Sequence, residues 1–453
     1  MLARQIVEGF AARGASPAIV AEDGRVTTYA ELYDGIHASL ERLRSHEVAA
    51  GDVVAIQGSW SPQLLMEFWA LASNGNILMP LTAQSPGREP EYQALCEVRH
   101  RVTFSEDGEW GHESREAVPS HPLLRVARES GEGGLVLFSS GTEGRPKAVL
   151  HDLGRLLLKY QKPLKAKRTL LFLVFDHIAG LDTLLYTLCA GGTCVIENTR
   201  RPENVCRVIA ARSVEVLATT PSFLGLLLAS EAYEPHDLSS LEVIAYGSET
   251  MPAHTLARLA RVVPSAHLVQ KYGTTELGSP SSRTRDGETL FLRIDRDDVQ
   301  TKVVDGVLFV KTPAAMLGYL NAPSPFDEEG WFNTGDMVEV DGDWIRFLGR
   351  RSEVINVGGE KVHPLEVEDV LLQMPNIATA SVVGERNALL GQIVVAHLTT
   401  KAPQVLVELK REVREFCKGR LAPYQVPARI VLADAPAQSY RFKRGAPAAG
   451  TRS

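Results

Sequence analysis

Cysteine is scarce in this chain of 453 residues: five thiols, at Cys96, Cys189, Cys194, Cys206 and Cys417, an odd number without C-x-x-C spacing. That count argues against a disulfide framework or a zinc ribbon and points to a reducing compartment, the cytoplasm. A basic excess is missing too. Lysine and arginine number 48 against 55 acidic residues, a net charge of −7, which argues against a general nucleic-acid binder. The longest apolar stretch, 170–196, is broken by Asp176, His177, Asp182 and Gly191-Gly192, and charged groups are costly in lipid. It reads as a buried strand–helix–strand and not as a membrane span. Residues 1–13 read as an amphipathic helix with interspersed charges and not as a secretory leader. No segment repeats.

What is present is an ordinary globular composition, 44% hydrophobic and 23% charged, in a chain too long for one core. Apolar runs at 53–57, 77–80, 135–138, 170–174, 193–197, 216–219 and 241–246 read as strands. Amphipathic stretches at 29–43, 62–72, 202–211, 221–228 and 253–263 read as the helices between them. This alternation predicts layered α/β structure with largely parallel sheets. From 290 to 346 the pattern turns strand-rich, with turn signals at Asp305-Gly306 and Asp341-Gly342, a smaller β-rich subdomain. Beyond Arg350 a compact α+β pattern follows, with strands at 354–356, 378–384, 392–399 and 428–432 and helices at 364–372 and 405–420. The expected domains are therefore a large N-terminal 1–349 and a small, mobile C-terminal 350–453, with a disordered tail at 445–453.

The segment richest in chemistry is Ser139-Ser140-Gly141-Thr142-Glu143-Gly144-Arg145-Pro146-Lys147, which follows an apolar strand. Glycines let backbone N–H groups approach phosphate oxygens, hydroxyls add donors, and lysine brings a mobile positive charge. It is not a Walker A loop, since Arg145-Pro146 precede the lysine and no Ser/Thr follows.

This loop resembles the S-G-T-T-G-x-P-K element of the adenylate-forming superfamily, which includes acyl- and aryl-CoA synthetases, peptide-synthetase adenylation domains and luciferase. Other elements follow in the family's order: Thr28-Tyr29-Ala30-Glu31-Leu32, Gly51-Asp52-Val53-Val54, Tyr272-Gly273-Thr274-Thr275-Glu276, Gly330-Trp331-Phe332-Asn333-Thr334-Gly335-Asp336, Gly349-Arg350 and Gly358-Gly359-Glu360-Lys361. The resemblance covers nearly the whole chain and is nearest to the acyl-CoA synthetases.

It implies an enzyme that joins a carboxylic acid to ATP, releasing pyrophosphate, and then transfers the acyl group to coenzyme A. Ser139, Ser140, Gly141, Thr142, Gly144 and Lys147 would hold the phosphates, and Glu276 with Thr142 would hold Mg²⁺. By spacing alone Glu276 reads as a helix-start acid; the family match reverses that. Thr275 would meet the α-phosphate, and Tyr272-Gly273 and Gly247-Ser248-Glu249 the adenine. Asp336 would accept from the ribose hydroxyls, with Arg350 beside it. His177, in an H-x-x-G setting ending at Gly180, would border an apolar acid pocket together with Thr219-Thr220-Pro221. Amino-acid-activating members carry an aspartate in this region, so the adjoining Asp176 makes the register matter.

Three departures stand out. The family's C-terminal lysine falls on Phe442 counted from Pro436 and on Lys443 counted from Ile430; Lys443 is the chosen catalytic residue. Ser352 occupies the hinge position, and Ala148 replaces the glycine after the loop lysine. Transfer to a carrier protein, a single half-reaction, or a weak nucleotide binder remain open alternatives, as does a homodimer.

Overall fold

The computed structural model describes every residue except 84, 86–89, 106–107, 118–119, 140–145, 287–288, 295–298 and 434–453. The expected tail and Lys443 lie outside the described residues. The chain divides into two compact units. One comprises Met1–Ala218, Gly273–Pro280 and Lys311–Gly330, the other Thr219–Tyr272, Ser281–Val310 and Trp331–Ser453.

In the first unit, local signals start and stop the elements. Thr28 caps the helix Tyr29–Ser45 by accepting from Glu31 N–H, and the Glu31 carboxylate reaches back to Thr28 N–H at 2.7 Å, a capping box. Ser61 caps Pro62–Asn74, with proline at its first position and left-handed Gly75 after its end. One sheet runs Gly318–Tyr319, Lys147–Asp152, Gly134–Ser139, Ile77–Leu81, Val53–Gln57, Val98–Phe104 and Trp110–Ser114 in spatial order. Its middle strands are parallel and buried almost throughout, so they read as continuous apolar runs. A second sheet sets Arg168–Leu171 beside Thr193–Ile196, and Thr193–Ile196 beside Pro17–Val20, all parallel.

The stretch 170–196 is the expected strand–helix–strand, with its helix at Ile178–Cys189. Its first strand is shorter than predicted. It ends at Leu171 because its neighbour ends at Ile196, and the chain then turns, His177 N–H donating to Val174 O. The N-terminal helix spans Leu2–Ala11 and buries Ala3, Val7 and Phe10. The strands Val98–Phe104 and Trp110–Ser114 were not anticipated, although Val98, His100 and Val102 alternate as buried residues with Arg99 and Arg101.

In the second unit, Val243–Tyr246 pairs in parallel with His267–Gln270. The β-rich stretch is a sheet of six strands: Ser282–Thr284, Phe291–Ile294, Trp344–Arg350, Phe332–Asp341, Val307–Lys311 and Gln300–Val304. Asp305 and Gly306, both with positive φ, make the predicted hairpin turn. At the second turn Asp341 pairs with Trp344, so Gly342-Asp343 form the loop and Asp341 belongs to the strand. Farther along, Glu360–Val362, Ile355–Val357, Gly391–Thr400 and Ile377–Asn387 form a sheet joined by Arg429–Leu432. The helices Pro364–Leu371 and Leu406–Cys417 pack on it through Val367, Leu371, Leu409 and Val413. The helix predicted at 405–420 ends earlier, with left-handed Gly419 two residues beyond.

The five cysteines are free thiols. Among the described residues no helix is long and apolar enough to cross a membrane.

Candidate active site

The strands Gly134–Ser139 and Lys147–Asp152 form an antiparallel hairpin in which Ser139 stands opposite Lys147. The two residues close the base of the phosphate-type loop. Ser140, Gly141, Thr142 and Gly144 lie outside the described residues. Tyr319 pairs with Val149 on the next strand, two residues from Lys147 and hence on the same face. Its ring lies under the Lys147 ammonium, 5.0 Å from Nζ to the ring centre. Its hydroxyl donates to Glu276 Oε1 at 2.9 Å. The sheet thus gathers a candidate phosphate lysine and a candidate magnesium carboxylate around one tyrosine. Tyr319 was missed in the sequence, where a lone tyrosine after Gly318 carries no motif.

The segment Gly273–Glu276 is held from two sides. A Cβ on Gly273 would lie 2.7 Å from Gly278 O, so only glycine fits. His151 Nε2 donates to the Thr275 carbonyl at 2.6 Å. Burial holds His151 below the ordinary histidine range, which keeps it neutral. This histidine was also missed, because nothing local marks it as more than a strand residue.

His177 is buried and caps its own helix, Nδ1 accepting from Ala179 N–H at 3.2 Å. With Nδ1 an acceptor, the neutral ring carries its proton on Nε2. The H-x-x-G spacing has a backbone cause as well: a Cβ on Gly180 would lie 2.2 Å from Val174 O. The neighbouring Asp176 is buried and accepts from Ser85 Oγ at 2.6 Å.

In the second unit, Asp336 and Arg350 are cross-strand partners, with Arg350 Nε 3.3 Å from Asp336 Oδ1. Tyr272 donates its hydroxyl to Asp336 Oδ2 at 3.0 Å. Burial raises the Asp336 carboxyl above the usual range, and the Arg350 charge and the Tyr272 hydroxyl pull it partly back. Tyr272 itself stacks on Phe347, with ring centres 4.8 Å apart and planes 10° from parallel. One of its faces is therefore already covered.

Gly247 is required by close approach, since a Cβ would lie 2.5 Å from Lys271 O. Ser248 follows with φ +69°, a left-handed serine of the kind found where a loop is held for function. Glu249 accepts from Ser222 N–H at 3.0 Å, stabilising the start of helix Pro221–Ser230 as an acid does there.

Among the described residues no three His, Cys, Asp or Glu side chains group to hold a metal. Glu276 is a single carboxylate, which suits a cation shared with substrate phosphates and not one caged by protein.

The AMP-binding enzyme pattern matches residues 8–320, and the AMP-binding enzyme C-terminal domain pattern matches residues 366–439. The chain belongs to the AMP-binding enzyme family of adenylate-forming ligases. It is similar to the indoleacetate–CoA ligase of Aromatoleum aromaticum, at 28% identity over 90% of each chain. It is also 28% identical to the 2-succinylbenzoate–CoA ligase of Bacillus licheniformis, over 92% of this chain and 93% of that one. Among solved structures, the anthranilate CoA ligase AuaEII in complex with anthranoyl-AMP aligns with a TM-score of 0.82 at 21% identity, covering 98% of this chain and 95% of that one. ATP-bound MatB from Rhodopseudomonas palustris aligns with a TM-score of 0.80 at 22% identity, covering 97% and 96%. These structural likenesses show a shared fold.

Proposed function

We propose that the chain activates a carboxylic acid with ATP to acyl-AMP and pyrophosphate, and then passes the acyl group to the thiol of coenzyme A. The observation that carries this reading is the meeting of Lys147 and Glu276 at Tyr319. In the first step a carboxylate oxygen attacks the α-phosphorus and pyrophosphate leaves. The work is positioning and charge stabilisation. Lys147, Ser139 and the loop residues Ser140, Gly141, Thr142 and Gly144 hold the phosphates, and Glu276 with Thr142 holds Mg²⁺, which would neutralise phosphate charge. Thr275 orients the α-phosphate, Asp336 and Arg350 the ribose, and Tyr272, Gly273 and Gly247-Ser248-Glu249 the base. Lys443 supplies positive charge to the adenylating step. A turn about residues 350–353 exchanges it for the Gly358-Gly359-Glu360 segment when the thiol attacks.

The relatives are named for indoleacetate and 2-succinylbenzoate, and one structural neighbour holds anthranoyl-AMP. Aromatic acids are therefore the first to try, bordered by His177. The five unpaired thiols suit the reducing cytoplasm. The test is acid-dependent pyrophosphate release, with quenched reactions examined for acyl-AMP, then repeated with coenzyme A and with a carrier protein as acceptors. Formation of ADP and phosphate in place of AMP and pyrophosphate rejects the reading.

A further inference from the structure

Three neighbouring strands of one sheet end abreast, at Thr219, Tyr246 and Gln270. Tyr246 and Gln270 are direct partners, and the ladder there continues with Lys271 N–H donating to Tyr246 O at 2.7 Å. Gly247 N–H donates to Thr219 O at 3.2 Å, the same step of a parallel ladder, which sets Thr219 opposite Tyr246. Residues in register leave a sheet on the same face. Thr219, Tyr246 and Gln270 therefore stand side by side on one face, at the carboxyl end of the strands and directly before the Gly247-Ser248 loop.

All three are buried, with 4%, 1% and 4% of their surface exposed. Thr219 Oγ1, Tyr246 Oη and Gln270 Oε1 have no hydrogen-bond partner among the described residues. Leaving a buried polar atom unpaired is unfavourable, and proteins rarely do so without a reason. Three in adjacent register positions are not scattered packing faults. The carboxyl end of parallel strands is where α/β proteins place ligands. Burial also pushes the Tyr246 phenol far up, so it stays a neutral O–H.

We infer that Thr219, Tyr246 and Gln270 form a polar wall that selects an acid carrying a hydrogen-bond donor, a hydroxyl or amino substituent, over the same acid without it. This rests on the acid-activating reading above and adds polar groups to the apolar pocket expected from the sequence near His177 and Thr219-Thr220-Pro221. The two hydroxyls can donate or accept, whereas the Gln270 oxygen only accepts, so a ligand group that pairs with Gln270 donates a proton. A site built to hydrogen-bond a substituent discriminates strongly against its absence, because its own groups are then left unpaired.

The test is pyrophosphate release with benzoate, phenylacetate, 3-phenylpropanoate, indoleacetate, hexanoate and octanoate, each beside its hydroxy- and amino-substituted forms. At least one substituted acid should exceed its parent in kcat/KM by about a hundredfold or more. Tyr246→Phe, Thr219→Val and Gln270→Leu should each shrink that ratio by about tenfold while leaving the KM for ATP unchanged. Tyr246→Phe removes one unpaired oxygen, so the melting temperature of the ligand-free protein should hold or rise. A fall would mean that the hydroxyl serves the fold and would count against the inference. Parent acids used as well as substituted ones, or a ratio untouched in all three variants, overturn the polar wall and leave the ligase reading standing. No pyrophosphate release from any acid overturns both.

Discussion

The hydroxyl of Tyr319 donates to Glu276 Oε1 at 2.9 Å while the same ring lies beneath the Lys147 ammonium. The carboxylate proposed for Mg²⁺ is thereby aimed by a tyrosine that also lies beneath the Lys147 ammonium. Tyr319→Phe keeps the ring under Lys147 and deletes only the bond to Glu276. Adenylation should slow about tenfold, with more Mg²⁺ needed for half-maximal rate. Pyrophosphate release titrated with Mg²⁺ measures both, and an unchanged Mg²⁺ requirement would show that Tyr319 does not position Glu276.

Asp336 is costly to the ligand-free fold. Its folded pKa lies above the unfolded one because burial disfavours the charge, so folding binds more protons than the unfolded chain between the two values. Its contribution to stability is lost as pH rises through that window, starting from about 3.9. Asp336→Asn should thus leave the melting temperature at pH 7 unchanged or higher. It should weaken AMP binding by about tenfold to a hundredfold, the loss of hydrogen bonds to a charged acceptor. Calorimetry on the two proteins reads both effects; intact AMP affinity would remove Asp336 from the ribose.

His151 sets an opposite dependence. Its folded pKa is depressed by burial, so the unfolded chain binds the proton first as pH falls through about 6.5. Stability is full above that value and declines below it. His112, His254 and His397 are lowered by burial too and act in the same direction. His151→Gln retains a donor for the Thr275 carbonyl but loses the titration. Its melting temperature should fall less steeply than that of the wild type between pH 7 and 5. Parallel slopes would place the acid sensitivity elsewhere.

Gly180 and His177 separate structure from specificity at one turn. Gly180→Ala would force a methyl group to 2.2 Å from Val174 O, and the backbone shift should cost about 2 kcal/mol or more, visible in urea unfolding. His177→Ala removes a helix cap, a loss of about 1 kcal/mol, and should change acid preference more than ATP affinity. An unchanged acid profile with impaired ATP binding would move His177 out of the acid pocket.

Lys443 is assigned by counting from Ile430. If its ammonium stabilises charge that exists only during adenylation, Lys443→Ala should lower kcat for that step by roughly a hundredfold or more. Thiolysis of synthetic acyl-AMP should suffer much less, and Arg444→Ala should matter little to either step. Nearly full adenylation by Lys443→Ala would hand the role to another group such as Arg441.

Much of the molecule is written in short spacings. Thr28 and Glu31, Ser61 with Pro62, and Gly75 mark helix ends through contacts three or four residues apart, which any reader of the chain can count. The elements around Ser139, Lys147, Tyr272, Glu276, Asp336 and Arg350 point to an ATP-using ligase through their resemblance, in order, to the motifs of the adenylate-forming superfamily. The misread edges have one cause. Strand length at 168–171 and the turn after Asp341 depend on where a neighbouring strand stops, which no local window contains.

The sequence by itself determined the layered α/β class, the helix caps and the residue types for adenylate chemistry. Only the tertiary structure decided that Tyr319 serves Glu276 and Lys147, that His151 holds the Thr275 carbonyl, and that Thr219, Tyr246 and Gln270 stand together unpaired. Each of those groupings joins segments far apart in the chain through strand order and register. A strand shifted by one residue turns every side chain to the other face, and that choice is made by the whole sheet and not by any stretch of sequence within it.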